Sequence, residues 1–430
     1  MPRPMVEAPR TTYNLAMDQQ ASSSTAARWI GWVAVLALIA LVWRALLPTL
    51  ATVQYQPSSD DGYYLRYMRE VGEQGLGALP GQFRFYLGDS QHWIFPPPSR
   101  VGFTLVCAVW SKLFGASLVA LSYLSLASHL AMVAMVYACA RRWFETYKAV
   151  LVSALVASST LYLGLARLAL TDSFISLSQA AAIWLFLDYV RDPTRTLRAL
   201  AFAAVFAFAM LTKEIAVLLA LPFAALAAVE RWYAKREIPL VRTLVILIAP
   251  GVACVIGWVL AAGSPTTLFR VLEIVLASPS TNAYAQQFGS GAWYRYPIDE
   301  LLMAPWPTLL GLAGVAIALW RWKRAEYGTL AVGMALVYVA QIGVLGFFTK
   351  NLRYVAVLEV PLRVLAVVLL WELFGAKNGL VGRALCTAAV ALLCWWGWSD
   401  FERIWLEYRT YDPVTTVLVG VRGMIPTQPR

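Results

Sequence analysis

The stretch Trp29-Ile30-Gly31-Trp32-Val33-Ala34-Val35-Leu36-Ala37-Leu38-Ile39-Ala40-Leu41-Val42-Trp43-Arg44-Ala45-Leu46-Leu47-Pro48-Thr49-Leu50 carries a single charge, Arg44. About 20 apolar residues at a helical rise of about 1.5 Å cross a hydrocarbon layer of about 30 Å. The run is too long and too far along the chain for a cleaved signal peptide, and no small-residue cleavage site follows it. It reads as a signal anchor, preceded by a disordered cytoplasmic lead over 1–28 that is polar and without periodicity. Further apolar runs cover 117–140, 149–170, 173–190, 199–212, 215–230, 243–262, 301–320, 328–348, 355–374 and 380–398. With the first they make about 11 crossings, which uses roughly half the chain and leaves the chemistry to the connections.

Composition agrees. The 430 residues are 60% hydrophobic and 14% charged, with a mean hydropathy of +0.62, which excludes a soluble enzyme. A net charge of +11 would suggest nucleic acid for a soluble chain. Here the basic residues cluster at every second connection: Arg141, Arg142 and Lys148; Arg191, Arg195 and Arg198; Arg231, Lys235, Arg236 and Arg242; Arg321, Lys323 and Arg324; Lys377 and Arg383. That is positive-inside positioning, so these connections are expected to be cytoplasmic and no nucleic-acid partner is implied. Two histidines and five cysteines (Cys107, Cys139, Cys254, Cys386 and Cys394) form no metal or disulfide pattern, so any metal chemistry falls to carboxylates.

The apolar segment 101–114 is only about 14 residues long, and its length alone leaves open whether it crosses. Were it to cross, every later basic cluster would move outside, so it is expected to lie in the outer surface or to re-enter from it. The outer side then receives a first loop over 51–116, tight turns at 171–173 and 212–215, a second loop over 263–300, a turn at 348–354 and a tail over 399–430. The transmembrane domain runs over 29–398, without a separate soluble domain or a repeat. The fold class is an all-α polytopic membrane protein with juxtamembrane helices in its first outer loop.

Charged residues at outer turns are the candidate site. Asp60-Asp61 precede an amphipathic pattern, with Leu65, Tyr67, Met68 and Val71 at helical spacing, which Gly75 and Gly77 should end. The pair fits helix capping through Ser58-x-x-Asp61, and it also fits a general base, because adjacent carboxylates raise one another's pKa. Asp172 opens an apolar helix, either as its N-cap or as a pocket acid. Lys213 and Glu214 interrupt a long apolar stretch, as a mutual ion pair or with the cation holding a lipid phosphate. Lys350, Arg353 and Tyr354 place positive charge on the outer side, against the general bias, where an anionic ligand would account for it. His92, before Pro96-Pro97-Pro98, is either a polar surface residue or a substrate-binding one, and the loop 263–300 is rich in Asn, Gln, Trp and Tyr of the kind that stack on sugars or form interfacial belts.

In order and spacing these pieces resemble the GT-C membrane glycosyltransferases, in the branch of the protein O-mannosyltransferases and the lipid A aminoarabinose transferase. The residues that carry the resemblance are Asp60-Asp61; Pro97-Pro98 running to Leu113-Phe114-Gly115; Arg141-Arg142-Trp143-Phe144; Arg167-Leu168-Ala169-Leu170-Thr171-Asp172; Leu211-Thr212-Lys213-Glu214; and Arg353-Tyr354 through Pro361. Asp61 stands where that family usually has Glu, Phe95 where His or Lys often precedes the prolines, and Glu214 where Gly is usual. The resemblance implies a GT-C fold. It also implies transfer of a sugar, with inversion, from a polyprenyl-phosphate donor to a lipid, glycan or protein acceptor on the outer face of the membrane, and the compact, single-module layout suggests a bacterial plasma membrane. Asp60 would act as base, and Asp61 and Asp172 would order the pocket or bind sugar, with a divalent cation at Asp60, Asp61 and Asp172 as one option. Lys213, Lys350 and Arg353 would neutralise the leaving phosphate. A flippase would instead place charges at the bilayer midplane. An oligosaccharide ligase would be expected to use Arg and His in a long outer loop, and 263–300 has no histidine.

Overall fold

A computed structural model describes residues 25–53, 55, 59–321, 328–375 and 379–424. Most of the lead 1–28 lies outside the described residues, as do Ser58, Lys323, Arg324 and Lys377. The described residues are helical and contain no strand. In chain order the α-helices are α1 (Thr25–Leu46), α2 (Asp60–Gln74), α3 (Leu79–Gly88), α4 (Val101–Phe114), α5 (Leu118–Ala140), α6 (Thr146–Ala157), α7 (Thr160–Leu165), α8 (Asp172–Arg191), α9 (Thr196–Thr212), α10 (Ala220–Ala228) and α11 (Leu240–Ala262). They continue as α12 (Pro265–Thr281), α13 (Ala283–Phe288), α14 (Arg295–Met303), α15 (Pro305–Arg321), α16 (Gly328–Leu345), α17 (Glu359–Leu370), α18 (Gly379–Phe401) and α19 (Thr415–Val421).

Eight segments are long and apolar enough to cross a membrane, namely Thr25–Thr52, Leu118–Ala140, Asp172–Arg191, Glu214–Tyr233, Leu240–Ala262, Gly328–Leu345, Leu352–Gly375 and Gly379–Glu407. The chain is an integral membrane protein. α6 and α9 are shorter apolar helices, of 12 and 17 residues. Leu352–Gly375 is the central pass, with 89% of its apolar window buried, whereas α1, α11 and Gly379–Glu407 are at 22% and form the outer wall. On α11 the exposed residues Val241, Leu244, Val245, Ile248, Val252, Val255 and Ile256 form an apolar surface that water would not tolerate and lipid covers.

One expected crossing, 149–170, is broken. Ser158 and Ser159 interrupt it between α6 and α7, because their neighbourhood offers side-chain bonds in place of the helix ladder. The Ser159 hydroxyl donates to Glu359 of α17, and Thr160 donates to the Gly397 carbonyl of α18 at 2.9 Å.

The two ends of the bundle differ in charge chemistry. At one end Arg142 pairs with Asp188, Arg191 donates to the Arg142 carbonyl, Arg236 pairs with Glu230 and Arg383 approaches Glu145. The opposite end carries α2 to α4, α12 to α14 and the segment after α18. Both ends of α4 lie there, since Arg100 before it donates to Tyr64 and to Glu214, while the Ala116 carbonyl after it accepts from Arg69 of α2. α4 therefore returns to the end from which it started.

Candidate functional site

The acidic pair opens α2 from an extended Ser59, which occupies the N-cap position, and Gly75 ends the helix with φ +70°, a left-handed conformation that suits glycine. Carboxylates in the first turn suit the positive helix terminus. Tyr64, Tyr67, Met68 and Val71 are buried against the bundle, and this orientation decides the fates of the two acids. Asp61 is fully buried, while the Asp60 side chain keeps 26% accessibility.

Arg353 joins the elements of the site. It follows Asn351, whose side chain caps the 3₁₀ helix Leu352–Leu358 by accepting from the Arg353 amide at 2.9 Å. Its guanidinium reaches Asp60 Oδ2 with Nη1 at 3.3 Å and Nη2 at 3.4 Å, and Asp172 Oδ2 lies 3.8 Å from Nη1. Asp412 Oδ1 lies 3.6 Å from Nε. Three carboxylates from the first loop, from α8 and from the segment after α18 thus share one cation.

Lys213 and Glu214 do not pair with each other. Lys213 is extended (φ −157°, ψ 124°), so the two neighbouring side chains point to opposite sides. Lys213 Nζ bonds Asp172 Oδ1 at 2.7 Å and lies 5.0 Å from the Tyr354 ring. Glu214 Oε1 instead accepts from Arg100 at 3.3 Å. Asp172 is not the N-cap of α8, a position held by Thr171 without a side-chain cap bond. Asp172 is the first helical residue and faces the two cations.

Asp61 accepts from the Tyr411 hydroxyl through Oδ1, and its Oδ2 is buried with no hydrogen-bond partner among the described residues. Burial pushes its pKa up to about 6, a rise that the Asp60 charge adds to and the Tyr411 hydrogen bond opposes. Asp412, next to Tyr411, accepts from the Tyr284 hydroxyl and from Asn351 Nδ2 at 3.2 Å. Sequence reading passed over Tyr411, Asp412, Arg100 and Tyr64. Only the Asp-next-to-Tyr composition of an otherwise ordinary polar tail hinted at the first two.

Two expected residues stand apart. Lys350 turns its ammonium onto the Gly346 and Phe348 carbonyls at 2.6 and 2.7 Å, because the carbonyls left open after α16 attract a cation. His92 bonds the Phe85 carbonyl through Nδ1 at 2.8 Å and stacks on the Phe85 ring, with Tyr63 one turn from Asp60 beside it. Asp60 and Asp172 meet on Arg353 while Asp61 is turned to Tyr411, and no group of three or more His, Cys, Asp or Glu among the described residues is arranged to hold a metal ion.

The helical bundle has the GT-C fold, as its similarity to solved structures shows. Residues 101–258 match the family model described as dolichyl-phosphate-mannose-protein mannosyltransferase. Among solved structures the chain is similar to ArnT from Cupriavidus metallidurans bound to undecaprenyl phosphate, with a TM-score of 0.53 and 17% identity over 92% of this chain and 75% of that one. It is also similar to the oligosaccharyltransferase AglB from Archaeoglobus fulgidus in complex with an inhibitory peptide and a dolichol-phosphate, with a TM-score of 0.59 and 11% identity over 91% of this chain. The match spans 59% of the archaeal chain. No curated protein matches by sequence.

Proposed function

We propose that the protein is an inverting glycosyltransferase that moves a sugar from a polyprenyl-phosphate carrier to an acceptor hydroxyl. Supporting the reading, one solved neighbour holds undecaprenyl phosphate and another dolichol-phosphate. The single observation that carries it is Arg353, which links Asp60 of the first loop to Asp172 and sits beside Lys213. An enclosed site of this kind holds both an acid–base group and cations for a phosphate.

In this scheme the acceptor oxygen attacks the anomeric carbon, the bond from that carbon to the phosphate oxygen breaks, and the acceptor proton passes to Asp60. Asp60 suits the base role because its side chain is open on one side, and Arg353 contacts only its Oδ2. Arg353 and Lys213 take up the charge that develops on the leaving phosphate, which a low-dielectric setting strengthens. Asp61 and Asp172 hold the pocket and the sugar hydroxyls. The site end lies on the outer face of the membrane, because the opposite end carries the basic connections, and we take that membrane to be a bacterial plasma membrane. The acceptor is a lipid, a glycan or a protein.

The test is Asp60→Asn, assayed with a polyprenyl-phosphate sugar in detergent. Transfer falls by at least about a hundredfold, the usual worth of a general base, while the variant elutes and melts like the parent. Full activity in a folded variant removes Asp60 as the base.

A further inference from the structure

The cation on which the phosphate role rests is already occupied. Asp60, Asp172 and Asp412 surround Arg353, and across the whole site five carboxylates (Asp60, Asp61, Asp172, Glu214 and Asp412) face three cations (Arg100, Lys213 and Arg353). A lipid phosphate added to this set without displacing a carboxylate meets like-charge repulsion in a poorly solvated place.

The three carboxylates on Arg353 differ in how firmly they are held. Asp60 sits in the first turn of α2, whose packed face anchors it, and Asp172 opens α8 and is bound by Lys213 at 2.7 Å. Asp412 lies in the link between the π-helical turn Glu402–Glu407 and α19, outside any helix. Arg409, in the same link, has φ +50°, a left-handed conformation unusual for a residue with a Cβ. Asp412 Oδ1 and Arg353 Nε are 3.6 Å apart, and each is buried without a hydrogen-bond partner among the described residues, so this contact is one of charge and not a formed hydrogen bond. What fastens Asp412 is its other oxygen, through Tyr284 and Asn351. Its neighbour Tyr411 covers Asp61.

We propose that Asp412 holds the place of the donor phosphate on Arg353. The lipid phosphate takes the guanidinium edge that Asp412 occupies at rest, and segment 408–414 moves off with it. That movement also withdraws the Tyr411 hydroxyl from Asp61, so arrival of the donor uncovers the acidic pair for the acceptor. Asp412 therefore sets donor affinity and couples it to acceptor access. The inference rests on the glycosyltransferase reading, and its test separates the two.

The full chain is reconstituted in nanodiscs and titrated with undecaprenyl phosphate, with undecaprenol as the uncharged control. Asp412→Asn keeps the shape and can still bond Tyr284 and Asn351 while removing the competing charge, so the variant binds the phosphate about tenfold tighter than the parent. Adding Arg353→Gln to either background abolishes the gain. In the parent, amide exchange over 408–414 rises with undecaprenyl phosphate and not with undecaprenol. Binding by the parent with no tightening in Asp412→Asn, or with unchanged exchange over 408–414, overturns the placeholder role and leaves the glycosyltransferase reading standing. If the folded parent and variant both fail to bind undecaprenyl phosphate, the donor class falls and the placeholder role falls with it.

Discussion

Asp60 and Asp61 are neighbours that the sequence presents as equivalents, and burial separates them. Asp61 is fully buried, with a pKa raised to about 6 from 3.8 by desolvation above all. An acid whose folded pKa is raised leaves full stability below its unfolded pKa, and that stability is lost as pH rises through about 6. At pH 7.5 the ionised Asp61 therefore costs about 2–3 kcal/mol. Asp61→Asn, which can still accept from Tyr411, is expected to raise the melting temperature in detergent at pH 7.5, with the gain shrinking toward pH 4.5. A gain of equal size at both pH values, or a loss at pH 7.5, contradicts the burial argument. The candidate pair itself was legible from its position after a first crossing. Its division of labour was not, since it depends on which side of α2 packs down. Lys213 and Glu214 make the same point, because an extended backbone sent one to Asp172 and the other to Arg100.

Among the elements, α17 positions the site, because the 3₁₀ turn that carries Arg353 runs directly into it. It is held by close approach of α15, where a Cβ on Gly314 would lie 2.6 Å from the Leu365 carbonyl oxygen and one on Gly311 2.8 Å from the Leu362 side chain. Small residues allow backbones to pack closely where water provides no driving force between helices. Gly314→Val is expected to destabilise the protein by about 1–3 kcal/mol, read as a lower melting temperature in detergent. Gly251→Ala on α11, which meets open space, serves as the comparison and leaves melting unchanged or slightly raised. Equal effects of the two substitutions would count against the packing role of α15. The helices themselves were readable as apolar runs. The break between α6 and α7 was not, because the Ser159 and Thr160 side chains there bond to partners on α17 and α18, 200 and 237 residues away.

For the whole molecule, the end that gathers Arg142, Arg191, Arg236 and Arg383 is expected to face the cytoplasm, with the site end opposite. Single cysteines at Arg195 and Trp293, both exposed, should then react with a membrane-impermeant maleimide from opposite sides of sealed, oriented vesicles. Labelling of both from one side defeats this orientation. Sequence by itself determined that the chain crosses a membrane, roughly how often, and that acids and cations collect at one set of turns. Those properties are local, set by hydropathy over about 20 residues and by charge in short connections. Only the tertiary structure decided that Tyr411 and Asp412, in what reads as a polar tail, close over an acidic pair some 350 residues earlier. It alone decided, too, that Lys350 spends its charge on backbone carbonyls while Arg353 is shared by three carboxylates. Pairings of that kind depend on which helix ends the packed bundle brings together, and no local property of the chain encodes them.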